Sequence, residues 1–119
     1  MKNLGKLPSH RQQRVGEELR KFISTLLIQD DLNISSLKNS FISIVEVDVS
    51  PDLKNAKIFI AVNGDDSLEI LKDLNNKTGY IKKRLAKIIK LKFFPNLKFY
   101  IDTSVEYSKN INSILNNLS

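Results

Sequence analysis

The spacing of apolar residues changes character several times along this chain, and that alternation restricts the fold more than any other feature. Val15, Leu19, Phe22, Ile23, Leu26 and Leu27 mark one face at the helical period. From Phe41 the period becomes two. Val45, Val47 and Val49 alternate with Glu46 and Asp48, and Ala56, Ile58, Ile60 and Val62 form the stripe of a second strand. Helical spacing returns at Leu68, Leu71 and Leu74, and again at Ile81, Leu85, Ile88 and Ile89. Leu97, Phe99 and Ile101 then alternate with Lys98, Tyr100 and Asp102 as a third strand.

Local signals set the boundaries. Residues 1–8 read as a short flexible tail ending at Pro8. Ser9 and Gln12 have capping-box spacing, which predicts that the first helix begins there. Asp30 to Asn39 is a polar connection. Ser50-Pro51-Asp52-Leu53 is a turn, since Pro51 presets its own φ and Asp52 can bond nearby backbone. Asn63-Gly64-Asp65-Asp66 ends the second strand and can cap the next helix. Asn75-Asn76-Lys77-Thr78-Gly79 interrupts the helical pattern with residues that resist a helix interior. Pro95 closes the following segment. Thr103 and Glu106 again have capping spacing, opening a terminal helix or tail over 105–119 with Ile111, Ile114, Leu115 and Leu118 as its stripe. The expected order is α-β-β-α-α-β over residues 9–104. It forms one α+β domain with a three-stranded sheet and helices on one face. At 119 residues and 41% hydrophobic content the chain can bury a real core.

Charge is distributed unevenly. The net charge is +6, yet residues 77–98 alone hold eight cations and no acid: Lys77, Lys82, Lys83, Arg84, Lys87, Lys90, Lys92 and Lys98. Nine of the thirteen acids fall in residues 30–76. A local basic block on a folded element is the footprint of a polyanion binder. A solvated helix face is the common fate of surface Lys. Here, however, Lys83 and Lys87 repel at i,i+4 with no interspersed Glu to relieve them. The helix carrying them also starts beside the Gly79 break, where free N–H groups can address the same phosphates. Alternation places most of Phe93, Phe94, Phe99 and Tyr100 in the core and leaves Tyr80 as the expected exposed aromatic.

Enzymatic chemistry is poorly supplied. The single His10 has no Cys or second His with which to share a metal, so neither a metal site nor a cofactor is expected. Glu17-Glu18 and Asp65-Asp66 are adjacent in sequence, so their carboxylates diverge. No Walker-type or dinucleotide glycine signature is present. No apolar run of about 18 residues argues for a membrane span. No secretory h-region precedes His10. Cysteine is absent, which suits a reducing cytosol, and a cytoplasmic protein is expected; a monomer is expected too, although the residues leave oligomeric state open beyond offering no long heptad for a coiled coil.

Two helices joined by a short glycine-containing break beside a small sheet resemble the core of a KH domain, which clamps phosphates through a GXXG loop. The glycines are Gly5, Gly16, Gly64 and Gly79, and no two have that spacing, so an ordinary KH loop is excluded.

Longer motifs narrow the resemblance. They are Arg14-Val15; Val47-Asp48-Val49-Ser50-Pro51-Asp52-Leu53 through Ala56; Gly79-Tyr80-Ile81-Lys82 through Leu85-Ala86; and Leu91-Lys92-Phe93-Phe94-Pro95-Asn96-Leu97-Lys98-Phe99 through Asp102 and Ser104. In that order and spacing, from about Arg11 to Asn110, they resemble the ribosome-binding factor A family. The resemblance implies a type II KH-like fold in which a kinked helix pair with an Ala-x-Gly break replaces the GXXG loop. Gly79 matches that glycine, whereas Lys77 stands where the family usually has alanine. Lys82 and Lys92 replace what are commonly arginines, keeping charge but losing a bidentate grip on phosphate.

The resemblance further implies a non-enzymatic assembly factor. Such a factor binds the free or immature 30S subunit and its 16S rRNA, assists 5′-end maturation, and matters most in the cold. It needs no small-molecule substrate. Lys77, Gly79, Lys82, Lys83, Arg84, Lys87, Lys90 and Lys92 are the expected RNA-contacting residues, with Arg11 and Arg14 auxiliary. A KH-like module with a non-ribosomal RNA partner is the main alternative. A protein-interaction module and a hidden enzyme are the weaker ones.

Overall fold

A computed structural model describes residues 7–29, 41–64 and 66–102. The elements run α1 (His10–Ile28), β1 (Phe41–Val49), β2 (Asn55–Asn63), α2 (Ser67–Asn76), α3 (Thr78–Ala86) and β3 (Asn96–Ile101). This is the expected α-β-β-α-α-β order. The sheet is ordered β1-β2-β3, with β1 antiparallel and β3 parallel to β2. A parallel neighbour requires a crossover, and the α2–α3 pair supplies it. The expected terminal helix, Asp30 to Asn39, Asp65 and most of the tail lie outside the described residues.

The capping box forms as its spacing predicts. The Gln12 backbone N–H donates to Ser9 Oγ (3.1 Å), and the Ser9 N–H donates to Gln12 Oε1 (2.8 Å). Gln12 does more than cap, because its Nε2 donates to the Val49 carbonyl at 2.9 Å and ties α1 to the end of β1. Below that tie, Gly16 lets the helix press on the strand. A Cβ there would lie 3.2 Å from the Val47 carbonyl oxygen. Val15, Leu19, Ile23 and Leu26 then enter the core.

That core lies on one face of the sheet. Ile44, Val49, Ala56, Ile58, Ile60, Leu97 and Phe99 meet Ile70, Leu74, Ile81, Leu85 and Ile89 from the helical side. Each fully buried Leu or Ile contributes about 1.5–3 kcal/mol. The other face carries Lys57, Phe59, Lys98 and Tyr100. The Phe59 and Tyr100 rings stack there with centroids 5.5 Å apart.

Three apolar assignments change. The period of two in β1 slips at Val45: Ile44 pairs with Ile60 and Glu46 with Phe59, leaving Val45 as the extra residue of a β-bulge. Ile42 and Ile44 therefore share the core side with Val47 and Val49, although the alternation of valines alone points to Val45. In α2 the inward pair is Ile70 and Leu74, whereas Leu68 is 77% exposed. In α3 the spacing reads too far. The helix ends at Ala86, and the Leu85 carbonyl accepts from both Ile88 and Ile89 (3.0 and 2.8 Å) as the last turn tightens. Ile89 stays buried, whereas Ile88 is exposed.

The turns hold as expected, with one addition. Ser50 Oγ donates to Asp52 Oδ1, which also accepts the Lys54 N–H at 3.0 Å. Leu53 adopts φ 62°, a left-handed conformation costing a branched side chain about 1–2 kcal/mol. Asp66 occupies the N-cap of α2 without a side-chain hydrogen bond, so the expected cap is positional only.

Candidate nucleic-acid interface

The α2–α3 junction is a one-residue kink. Lys77 (φ −99°, ψ 6°) ends α2 by donating its N–H to the carbonyls of Asp73 and Leu74. It also begins α3, its own carbonyl accepting from Ile81 at 2.9 Å. The kink is anchored by Asn75, whose Nδ2 donates to the Phe99 carbonyl (3.2 Å) while its Oδ1 accepts the Phe99 N–H (2.8 Å). One carboxamide thus serves both outward-facing backbone groups of β3 at that residue, as a neighbouring strand would. In sequence, Asn75 reads only as a poor helix former. Its role depends on a strand 24 residues away.

Around the kink the cations are organised by an aromatic ring. Lys77 Nζ lies 6.0 Å from the Tyr80 ring centroid and Arg84 Cζ 5.9 Å. Arg84 Nη1 donates to Tyr80 Oη at 2.9 Å. Each cation–π contact contributes about 0.5–1 kcal/mol at an exposed site. Lys77, Tyr80, Arg84 and Lys87 follow one another at helical spacing, so they form a single stripe. Gly79 sits beside it, exposed, and a Cβ there would meet nothing within 4 Å. Packing within the described residues therefore does not require a glycine at that position.

The remaining cations of the block do not share this stripe. With Ile81 and Leu85 pointing inward, Lys82 and Arg84 flank the buried direction on opposite sides and Lys83 points away from it. The expected Lys83–Lys87–Lys90 helical stripe is broken: Lys87 is the C-cap of α3, and Lys90 follows the helix in the chain leading to β3. Arg11 and Arg14 are exposed on the first turns of α1.

A second basic feature lies elsewhere. A cleft of about 660 Å³ opens between the start of α1, the β1–β2 turn and the chain after α3. Val15, Leu53 and Leu91 line its depth, and Arg11, Lys54 and Lys92 supply cations, with Asp52 as the one acid. Phe93, one of four rings of which most were expected in the core, is 77% exposed at this cleft, with Lys92 Nζ 5.7 Å from its ring centroid. Tyr80 is 42% exposed, so Phe93 is the more open ring. Of Phe93, Phe94, Phe99 and Tyr100, only Phe99 is fully interior, and Phe94 and Tyr100 are half-buried.

Among the described residues no group of three or more His, Cys, Asp or Glu could hold a metal ion. No described helix is long and apolar enough to cross a membrane.

Comparison with known proteins extends these observations. The sequence profile of Ribosome-binding factor A matches residues 11–115. Ribosome-binding factor A of Chelativorans sp. (strain BNC1) is 38% identical over 109 residues, covering 91% of this chain and 82% of its own. That of Caldicellulosiruptor bescii is 38% identical over 112 residues, covering 92% and 84%. In three dimensions the fold is similar to the crystal structure of ribosome-binding factor A from Thermus thermophilus. The TM-score is 0.65 at 14% identity, covering 76% of this chain and 94% of that one. It is also similar to a homology model of Thermus thermophilus ribosome binding factor A as fitted into a cryo-EM map of a 30S complex. There the TM-score is 0.54 at 15% identity, with 80% and 94% covered. A profile spanning nearly the whole chain, relatives at this identity and the shared fold lead to one conclusion: this protein belongs to the Ribosome-binding factor A family.

Proposed function

We propose that this protein binds the free or immature small ribosomal subunit in the cytoplasm, contacts its 16S rRNA, and assists maturation of that RNA's 5′ end. It does so as a monomeric binder and not as an enzyme. The observation that carries this reading is the Lys77–Tyr80–Arg84 stripe at the α2–α3 kink, in a chain of this family. The ring restrains two cations side by side on the outside of the domain, so less side-chain freedom is lost when they meet phosphate. Lys83 and Lys87 add exposed charge, and the bare backbone at Gly79 admits a phosphate chain closer than any side chain would.

No active site is needed for such a role. A factor that binds one rRNA arrangement a hundredfold more tightly than another shifts that equilibrium by about 2.7 kcal/mol. Dependence on the factor is greatest in the cold, where strand rearrangements are slowest.

Co-sedimentation with purified free 30S subunits is the deciding experiment. The native protein co-migrates, and the Lys77→Ala/Arg84→Ala variant loses most of that binding. Neutralising about five phosphates gives a slope of log affinity against log salt of roughly −3.5 to −4.5. A flat salt response, or RNA binding without co-migration, would overturn the ribosomal reading. The second of these outcomes would favour a non-ribosomal RNA partner.

A further inference from the structure

The cleft between the α1 start, the β1–β2 turn and the chain after α3 combines features that the stripe at the kink lacks. It is concave, Val15, Leu53 and Leu91 give it apolar lining, and its ring, Phe93, is far more open than Tyr80 of the stripe. Its volume of about 660 Å³ falls within the roughly 300–1,000 Å³ of sites that enclose small organic groups. Leu53 and Leu91 form apolar wall and pack against the core behind it.

Leu53 is also the only described non-glycine residue with positive φ. The left-handed region favours Gly, Asn or Asp, so a leucine there keeps an apolar side chain against the core at some conformational cost. Phe93 is 77% exposed beside Pro95, which is wholly buried, so the ring faces solvent while the chain next to it is fixed. Arg11, Lys54 and Lys92 come from three separate segments to the same cleft. Asp52, the one acid, is committed to the Ser50 hydroxyl and the Lys54 N–H within its own turn.

Cations at the rim, an apolar wall and an exposed ring complement a nucleotide whose base has left its stack. We propose that this cleft takes one unstacked nucleotide of single-stranded RNA. The base lies against Phe93, and the flanking phosphate is held by Arg11, Lys54 and Lys92. A base inside a duplex presents no face to a ring, so the cleft selects single strands, whereas the ring in the stripe at the kink is already engaged by Lys77 and Arg84. That the strand is ribosomal rests on the reading above; the chemistry of the cleft does not.

The test uses the full chain, a fluorescent single-stranded oligouridylate and an RNA duplex of equal length, with affinity read by anisotropy at one salt concentration. Phe93→Ala is expected to weaken single-strand binding about 5- to 150-fold and to leave duplex binding unchanged. Because Phe93 is exposed, its truncation leaves the fold intact, as circular dichroism would verify. Titration of oligouridylate into isotope-labelled native protein is expected to shift the amides of Leu53, Lys54, Leu91 and Phe93.

Equal loss on both RNAs, unchanged single-strand affinity, or still amides at those positions would each overturn the cleft. Co-sedimentation with 30S subunits run in parallel separates the two claims. Retained co-migration with an inert cleft sinks only this inference. A responsive cleft without co-migration sinks only the ribosomal reading.

Discussion

Helix α1 and the kinked α2–α3 pair bury similar apolar faces, yet they are secured in opposite ways. Helix α1 spans 19 residues, opens with a reciprocal capping box, is tied by Gln12 to β1 and presses Gly16 onto that strand. Neither α2 nor α3 has a side-chain cap bond, and they run for 10 and nine residues. The pair is clipped to the sheet by Asn75, and its glycine stands in open space. The tightly specified helix is scaffold. The segment with exposed backbone and ordered cations is the one suited to meet a partner whose shape it must follow.

The largest expected effect attacks the scaffold. Leu19 is completely buried in α1, so Leu19→Ala should lower unfolding free energy by about 2–5 kcal/mol, read from the midpoint of a urea titration. Leu68→Ala in α2, where the side chain is 77% exposed, should stay within about 0.5 kcal/mol. A comparable loss at both would erase the distinction between core and surface positions.

Next comes the clip. Asn75→Ala strands the N–H and C=O of Phe99 and should cost about 1–3 kcal/mol, with faster amide exchange at Phe99 in the variant than in the native protein.

The same exchange at two glycines sharpens the contrast further. Gly79→Ala should raise thermal stability by about 0.5–1 kcal/mol, since a methyl group meets nothing and helix propensity improves. RNA affinity should nonetheless fall if phosphate approaches that backbone. Gly16→Ala should forfeit the propensity gain, because the strand carbonyl of Val47 stands 3.2 Å from the new carbon. Equal shifts in melting temperature would refute the close packing of α1.

The smallest effect concerns pH. The Ser50 hydroxyl and then the Lys54 N–H hold the Asp52 carboxyl below its ordinary value of 3.8. A value lowered by folding stabilises the ionised form. Its contribution is therefore present above about pH 4 and lost as pH falls through the folded value. The stability gap between native protein and Asp52→Asn should close on acidification and stay constant above that range.

Much of this architecture was legible because it rests on local chemistry. Ser9 with Gln12, Asp52 with the nearby backbone N–H of Lys54, and the alternation from Ala56 to Ile60 each involve neighbours in sequence, and each appears as read. The failures share another cause. The bulge at Val45 depends on how β2 pairs, and periodicity alone cannot count an extra residue. Ile88 looked inward because helical spacing persists through a tightened last turn in which it rotates outward.

The site was legible in charge and less so in geometry. Counting cations along the sequence groups Lys82 with Arg84, but with Ile81 and Leu85 turned inward the two lie on opposite sides of α3. The partnership of Tyr80 with Lys77 and Arg84 follows from helical spacing and could have been read. Lys54 could not, since it joins Arg11 and Lys92 only through the fold.

The Asn75 clip also bears on how the molecule avoids its own kind. An open strand margin offers unpaired amides to any extended chain, and this is the usual route to edge-to-edge aggregation. At Phe99 both groups are already occupied by a side chain from the neighbouring helix. A second molecule seeking to extend the sheet past β3 would first have to evict that carboxamide, and in doing so would unfasten the very junction beside which Lys77 and Arg84 flank Tyr80.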